Sequence, residues 1–168
     1  MNHGHVMADA NVDGCLACDL SRGRQDLPGG QIYATDHWAI EHCIGPFGVG
    51  ALIVKPFRHC LHVSELTAEE TAELGPLLQR ATSVIESLIE PEQVYVCLWS
   101  HAGWTPGHIH FVLQPSWNRY QEEHAMPGPS LQVDMLEKNE LPPRDEVAAF
   151  AEQARKMMTK TPAGIGSG

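Results

Sequence analysis

The sequence has few basic residues and no apolar stretch long enough to cross a bilayer. It contains 11 Lys and Arg against 21 Asp and Glu, which gives a formal net charge of −10. A protein that coats nucleic acid or an anionic membrane needs a basic face, so this balance argues against both kinds of partner. A bilayer span needs roughly 18 consecutive apolar residues, and no such run occurs. A small anionic ligand stays compatible, because one pocket can be rich in backbone N–H groups.

The sequence also lacks a disulfide framework, because its five cysteines are odd in number and irregular in spacing. In a reducing compartment such cysteines serve in metal binding, catalysis or core packing. Residues 1–14 are polar and carry no apolar signal core. We therefore expect a cytoplasmic protein with one domain at 15–158 and flexible tails at 1–14 and 159–168.

Short runs rich in β-branched and aromatic residues predict the strands of a sheet. Residues 31–43 predict two strands around a turn at Thr35-Asp36, and further strands are predicted at 50–55, 93–99 and 108–114. With the two helices described next, the order is strands, helix, two strands, a connection and a helix. This order predicts an α+β domain with an antiparallel sheet of about five strands.

One long helix and one C-terminal helix complete the predicted elements. Thr67 and Glu70 form a capping box before an apolar stripe at helical spacing, and Gly75-Pro76 predicts a kink or a slightly later start. The C-terminal helix is predicted over 144–158. Residues 115–143 are rich in proline and predict mostly loop, which is long for a compact domain and suggests that it covers a site.

The strand at 108–114 carries the most informative polar residues. Alternation places His108, His110, Val112 and Gln114 on one face, and the apolar Ile109, Phe111 and Leu113 on the face that meets the core. Neutral imidazole is both a nucleophile and a common metal ligand. A pair of solvent-facing histidines on an edge strand is the alternative interpretation of this pattern.

A second motif, Cys15-Leu-Ala-Cys18, lets both thiolates bind one tetrahedral zinc without strain. Two cysteines packed in the core are the alternative. A zinc ion needs two further ligands, and the nearest candidates are His59, which follows the KPFR turn, and His62. Mixed thiolate and imidazole ligands also suit iron, so the metal is left open at this point.

The order of these motifs resembles the histidine triad (HIT) superfamily of nucleotide hydrolases and nucleotidyl transferases. The resemblance rests on CLAC at 15–18, LIVKPFRH ending at His59, and GHIHFVLQP at 107–115. It covers roughly residues 15–115. It implies a HIT-like fold, and relatives commonly form homodimers.

The resemblance also implies roles for single residues. In zinc-containing relatives two cysteines, a histidine after the proline and the first triad histidine bind one structural zinc, and here these are Cys15, Cys18, His59 and His108. Four ligands leave no open position, so such a site is structural. The middle histidine of the triad is the family's nucleophile, and it corresponds to His110.

The chain departs from the family pattern at several polar positions. Val112 stands at the third triad position, and Gln114, one strand step further, is a candidate to replace it. Thr105 stands where hydrolases have a serine that binds phosphate, while Trp104 stands where they have glutamine. Glu41 is the candidate for the carboxylate that holds the ribose hydroxyls.

Two further residues are candidates for binding the phosphate. Backbone N–H groups near 103–107, with Gly107 at their end, are suited to developing negative charge. Arg119 follows the catalytic strand, and its guanidinium matches phosphate geometry, although a surface arginine is an equal alternative. His101 and His124 are predicted to be solvated loop residues, and Trp104 or Trp117 is a candidate to stack on a base.

These residues lead to three hypotheses of function. The first is an enzyme that acts at the α-phosphorus of a dinucleoside polyphosphate or a nucleoside phosphoramidate through His110. The second is a module that binds a nucleotide or metabolite without turning it over, since Val112 and Trp104 replace polar family residues. The third is a redox or zinc-buffering protein that uses Cys15 and Cys18.

Overall fold

The computed structural model describes residues 12–101, 103, 106–124 and 127–160. Within these ranges the strands are β1 Gln31–Ala34, β2 Trp38–His42, β3 Leu52–Pro56, β4 Gln93–Trp99 and β5 His110–Ser116. The α-helices of the same ranges are α1 Leu16–Ser21, α2 Ala68–Ile89, α3 Asn118–His124, α4 Gly128–Lys138 and α5 Arg144–Thr159. The predicted α+β class is confirmed.

The five strands form one antiparallel sheet in the order β1-β2-β3-β5-β4. β3 lies between β2 and β5, and its Val54 pairs with Phe111 of β5. The strand predicted at 108–114 begins two residues later, because the backbone N–H of His108 bonds to the Ser100 carbonyl and that of Ile109 to the Cys60 carbonyl instead of a neighbouring strand. The position of His108 just before β5 matters for the site.

The predicted capping box at the start of α2 is confirmed. Thr67 accepts a hydrogen bond from the Glu70 N–H, and the Glu70 carboxylate accepts one from the Thr67 N–H. The helix begins at Ala68 and continues through Pro76, so the later start is wrong. A proline removes one helical hydrogen bond. The apolar stripe of α2 offsets that loss by packing on the sheet through Leu77, Ala81, Val84 and Ile85.

The stretch predicted as mostly loop contains two helices, α3 and α4, and this prediction was therefore wrong. Proline in the first turn of α4 is compatible with a helix, because the first helical N–H groups have no partner within the helix. Leu131 and Met135, one turn apart, are buried against Val112 of the sheet. The apolar pair, rather than the proline content, decides the structure of this segment.

Both faces of the sheet are covered where β5 crosses it. One face packs on α2 and α5 through a large apolar cluster that includes Trp38, Leu113 and Phe150. The other face meets α4 and contains Val112. The predicted alternation of side chains along β5 is confirmed.

The expected tails lie mostly outside the described residues, which begin at 12 and end at 160. Within the described part of the chain, every helix is too short or too polar to cross a lipid bilayer.

Candidate functional site

Four ligand-type side chains from three parts of the chain meet beside the sheet. Cys15 and Cys18 lie at the start of α1, His59 follows β3, and His108 precedes β5. Their ligand atoms all lie within 4.8 Å of one another. The Nδ1 atom of His108 lies 3.5 Å from the Cys15 sulfur, and the Nδ1 atom of His59 lies 3.5 Å from the Cys18 sulfur.

These separations fit a tetrahedral zinc site. Zinc bonds of about 2.0–2.3 Å at tetrahedral angles place ligand atoms roughly 3.5 Å apart. Three of the four residues are buried, and His59 is half-buried. Burial raises the pKa of the Cys18 thiol, so an additional cation is needed to stabilise its thiolate. The donor set is that of a structural zinc centre.

The second nitrogen of His108 fixes how its ring is presented to the cluster. Its Nε2–H donates to the Pro56 carbonyl at 3.1 Å, which leaves the lone pair on Nδ1, the atom that faces both thiols. Burial lowers the pKa of His108 to about 4, so the ring is neutral. A backbone acceptor behind a ligating histidine is the usual second-sphere arrangement at zinc sites.

A cavity of about 220 Å³ lies next to the cluster. Its apolar residues come from α1 and from the region of β2 and β3. Its polar residues come from β2, from β3 and from the segment that leads into β5. Among the described residues, the wall is formed by Cys15, Leu16, Ala17, Leu20, Glu41, Cys43, Ile44, Ile53, Lys55, His101, Pro106, Gly107, His108 and His110. Because α1 carries two metal ligands and also part of this wall, the cluster and the cavity are built together.

His110 is held in one orientation within this cavity. Its Nδ1–H donates to the His108 carbonyl at 3.0 Å, so Nε2 carries the lone pair. Burial lowers the pKa of His110, the hydrogen bond to His108 acts against this, and the charges of His101 and Lys55 add to the lowering. A neutral imidazole with a free lone pair is the form that acts as a nucleophile.

His101 lies closer to the site than its loop position suggested. Its ring stacks on Trp99 at 5.8 Å between centroids and lies 5.5 Å from the ring of His110. The residue is exposed and has a φ of 51°, an uncommon conformation for a non-glycine residue. His101 therefore forms the exposed edge of the cavity. The side chain of His124 lies outside the described set.

Glu41 reaches the cavity, but its carboxylate already has a partner. Lys55 donates to Glu41 Oε1 at 2.7 Å and to the Ala17 carbonyl at 2.9 Å. The two side chains are 1% and 5% exposed, respectively. Burial raises the pKa of Glu41, and the Lys55 ammonium acts against this rise. Glu41, which the resemblance suggested as the carboxylate that holds the ribose hydroxyls, is one half of a buried ion pair with Lys55.

Gly107 permits the backbone to pass close to the Ser100 and His101 carbonyl groups at the edge of the cavity. A Cβ at this position would lie 2.6 Å from the His101 carbonyl oxygen and 2.8 Å from that of Ser100. Any larger residue would displace this backbone, which forms part of the cavity wall beside His110. Gly107 lines the cavity, and its role in binding a substrate stays a prediction.

Two predicted residues, Gln114 and Arg119, lie away from the described cavity wall. Gln114 is buried beneath α4, where its amide N–H faces the Met135 sulfur at 2.9 Å. Arg119 is exposed and stacks over Trp117 at 4.6 Å. Thr105 and Trp104 lie outside the described residues.

Lys55 is the residue that sequence reasoning missed. It stands in a strand of otherwise apolar residues, LIVKP. Alternation places it on the same face as Ile53, whose strand partners are Glu41 and Val112. A charged residue on the buried face of an inner strand needs a partner, and this signal was present in the sequence.

Comparison with known proteins gives matches in structure only, because no family model and no curated protein matches the chain. A Zn-bound histidine triad family protein from Mycobacterium smegmatis is 20% identical, with a TM-score of 0.62, over 86% of this chain and 95% of that chain. A hypothetical histidine triad nucleotide-binding protein from Sulfolobus tokodaii is 14% identical, with a TM-score of 0.62, over 84% and 89%.

A HIT family protein from Bacillus subtilis is 20% identical, with a TM-score of 0.56, over 64% of this chain and 76% of that chain. At such identities the likeness establishes the fold. The five-stranded antiparallel sheet, the long helix α2 and the Cys2His2 cluster agree with it. The resemblance found in the motifs is therefore confirmed at this level, and the chain has the fold of the histidine triad proteins.

Proposed function

We propose that the protein is a nucleotide phosphohydrolase or nucleotidyl transferase that uses His110 as its nucleophile. The observation that carries this proposal is the hydrogen bond from His110 Nδ1 to the His108 carbonyl, which leaves the lone pair on Nε2 inside the cavity. The substrates in this proposal are dinucleoside polyphosphates or nucleoside phosphoramidates. The apolar part of the wall, with Leu16, Ile44 and Ile53, suits a nucleobase.

The proposed reaction has two displacements at the α-phosphorus. The Nε2 lone pair forms a bond to phosphorus while the bond from phosphorus to the leaving group breaks, and the leaving group departs with the electron pair and takes a proton from solvent. Water then attacks the same phosphorus, the phosphorus–nitrogen bond breaks, and the water proton is released. The products are a nucleoside monophosphate and the protonated leaving group, and His110 is regenerated.

In this proposal zinc binds Cys15, Cys18, His59 and His108, and its role is to hold α1 against the sheet. The Zn-bound protein from M. smegmatis supports the choice of metal. Since α1 also forms part of the cavity wall, the ion would act on substrate binding through structure alone. The placement of both thiols among four ligands disfavours the redox alternative.

A binding module is the second candidate. It is favoured by Val112, which is buried and contributes no polar group at the third triad position. Gln114 cannot replace that group from its place under Met135. A module of this kind would bind a nucleotide tightly and release no product.

We also propose a homodimer in the cytoplasm. β4 is an edge strand, and its Val96 and Leu98 are each 45% exposed, which suits pairing with a second copy. All five cysteines are free, as expected in a reducing compartment. Sedimentation analysis of the native protein and of Val96→Lys tests the dimer.

The enzyme proposal is tested by release of nucleoside monophosphate from a panel of phosphoramidates and dinucleoside polyphosphates. His110→Ala is expected to abolish turnover and to keep its zinc. His37→Ala is the matched control, because His37 pairs with Glu73 of α2 and is not among the described residues that line the cavity, so turnover is expected to stay unchanged. Nucleotide binding without turnover by the native protein would favour the binding module instead.

A further inference from the structure

Lys55 and the proposed nucleophile, His110, line the same cavity. β3 pairs with β5 up to Val54 and Phe111, and Lys55 and His110 are the next residues of the two strands. Both side chains point to the face that bears the cavity, and both line it. A ligand in this cavity can therefore contact both residues.

Lys55 also supplies the charge that a phosphate ligand needs. Among the described wall residues it is the one lysine or arginine, and Glu41 is the one carboxylate. The protein as a whole carries a net charge of −10, so a bound phosphate gains no general electrostatic attraction. Compensation of its charge in this cavity depends on local groups, and Lys55 is the one lysine or arginine on the described wall.

A gain in folding free energy is a weak reason for the buried ion pair between Lys55 and Glu41. Replacing a buried ion pair with well-packed apolar residues is often neutral or stabilising. An ammonium has three N–H donors, and those of Lys55 have two partners among the described residues, Glu41 and the Ala17 carbonyl. The third donor has no partner among the described residues, while the two contacts hold the ammonium in place.

We propose that Lys55 is a ligand-binding residue of this cavity whose ammonium donates to a phosphate oxygen at the phosphorus that His110 attacks, with Glu41 as its positioning residue. This inference rests on the proposed function. It gives the phosphate a cationic hydrogen-bond donor at a site where Val112 and Gln114 supply no polar group to the cavity. The ligand class is a nucleoside phosphate rather than a nucleoside.

Calorimetric binding of AMP and adenosine, and of GMP and guanosine, tests the proposal. The double variant Lys55→Met/Glu41→Gln removes both charges, so neither ion is left buried and unpaired. It is expected to weaken nucleotide binding about 10- to 100-fold, the effect of one charge-assisted hydrogen bond, and to leave nucleoside binding unchanged. The matched control is Lys156→Met/Glu152→Gln, an exposed pair on α5 that is expected to change neither.

The single variant Glu41→Gln keeps an amide oxygen that can accept from the Lys55 ammonium, so the positioning contact is retained, while the negative charge that opposes a bound phosphate is removed. It is expected to bind the nucleotide more tightly than the native protein, and weaker or equal binding would contradict the proposal. Equal weakening of nucleotide and nucleoside by the double variant would make Lys55 a structural residue and overturn the inference. Equally tight nucleotide binding by the native protein and the double variant would also overturn the inference, and it would leave the proposed function intact. A native protein that binds neither ligand would instead refute the proposed function, and the inference with it.

Discussion

One face of the sheet packs against α2 and α5, and the other meets α4 and the cavity. The first face is filled by apolar side chains such as Trp38, Leu52 and Leu113. The second also buries Glu41, Lys55 and Gln114. Buried polar groups are expensive unless they are paired, so their concentration on one face marks that face as the one shaped for function. The comparison predicts that changes on the two faces will have separable effects on stability and on nucleotide chemistry.

The largest effect on stability is expected on the apolar face. Trp38 is fully buried, packs near Phe111, and donates its indole N–H to the Glu70 carbonyl. Trp38→Ala is expected to lower the free energy of unfolding by about 3–5 kcal/mol, because it creates a cavity and leaves an acceptor unpaired. Urea denaturation measures this, with the half-buried Trp117→Ala as the control. A smaller loss for Trp38→Ala than for Trp117→Ala would contradict the assignment of the core.

Removal of the metal is expected to have the next largest effect. A zinc ion at about 100 times its dissociation constant stabilises the folded state by about 2.7 kcal/mol. A strong chelator, or Cys18→Ala, is therefore expected to lower the melting temperature and to weaken nucleotide binding, since α1 forms part of the cavity wall. Cys60→Ala is the control, because Cys60 is a buried cysteine outside the cluster. Unchanged melting after chelation would refute a structural metal.

A moderate loss of stability at acidic pH is expected from His42 of β2, which is buried against Phe150 of α5. Its Nε2 accepts the Gly50 N–H at 2.9 Å, and burial lowers the pKa of His42. The neutral form is thus favoured in the folded protein. Its contribution is complete above the ordinary histidine pKa near 6.5 and is lost as pH falls below that value toward the folded pKa.

The measurement is the free energy of unfolding at pH 7.5 and pH 5.5 for native protein and His42→Gln. The free energy of unfolding of the native protein is expected to fall more than that of the variant. The extra loss is up to about 1.4 kcal/mol for each pH unit in which His42 is protonated only in the unfolded state. Equal losses in the two proteins would show that the proton uptake occurs elsewhere.

The smallest effect is expected at Arg119, which the sequence suggested as a phosphate ligand. Its guanidinium lies over Trp117 and outside the cavity wall. Arg119→Ala is expected to change stability by about 0.5 kcal/mol or less and to leave nucleotide turnover unchanged. A large rise in the Michaelis constant of the variant would place Arg119 in the site and contradict the geometry.

Local patterns predicted the fold well because they arise from neighbouring residues. The capping box of Thr67 and Glu70, the alternation along β5 and the two turn-linked strands at 31–43 are each visible in a few adjacent positions. The helices α3 and α4 were missed because proline suggested loop, while tertiary packing of Leu131 and Met135 on the sheet stabilises α4. Burial against distant residues is not visible in a local window.

The site shows the same division. The four residues that the family resemblance implied as metal ligands come together in the structure, whereas the spacing of the motifs alone left the choice of histidines open. The pairing of Lys55 with Glu41 depends on the register of β2 against β3, which a single sequence does not reveal. Gln114 lies on the predicted face of β5, but the sequence could not indicate that α4 would cover it.

The central claim is that His110 Nε2 forms a bond to phosphorus, and trapping that bond tests it most directly. Native protein mixed with substrate and quenched at alkaline pH within the first turnover is expected to carry one nucleoside monophosphate on the peptide that contains His110, detected by mass spectrometry. His110→Ala is expected to carry none. An adduct on another residue would contradict the account. So would turnover by the native protein with no adduct at any time point, if His110→Ala turned over substrate equally well.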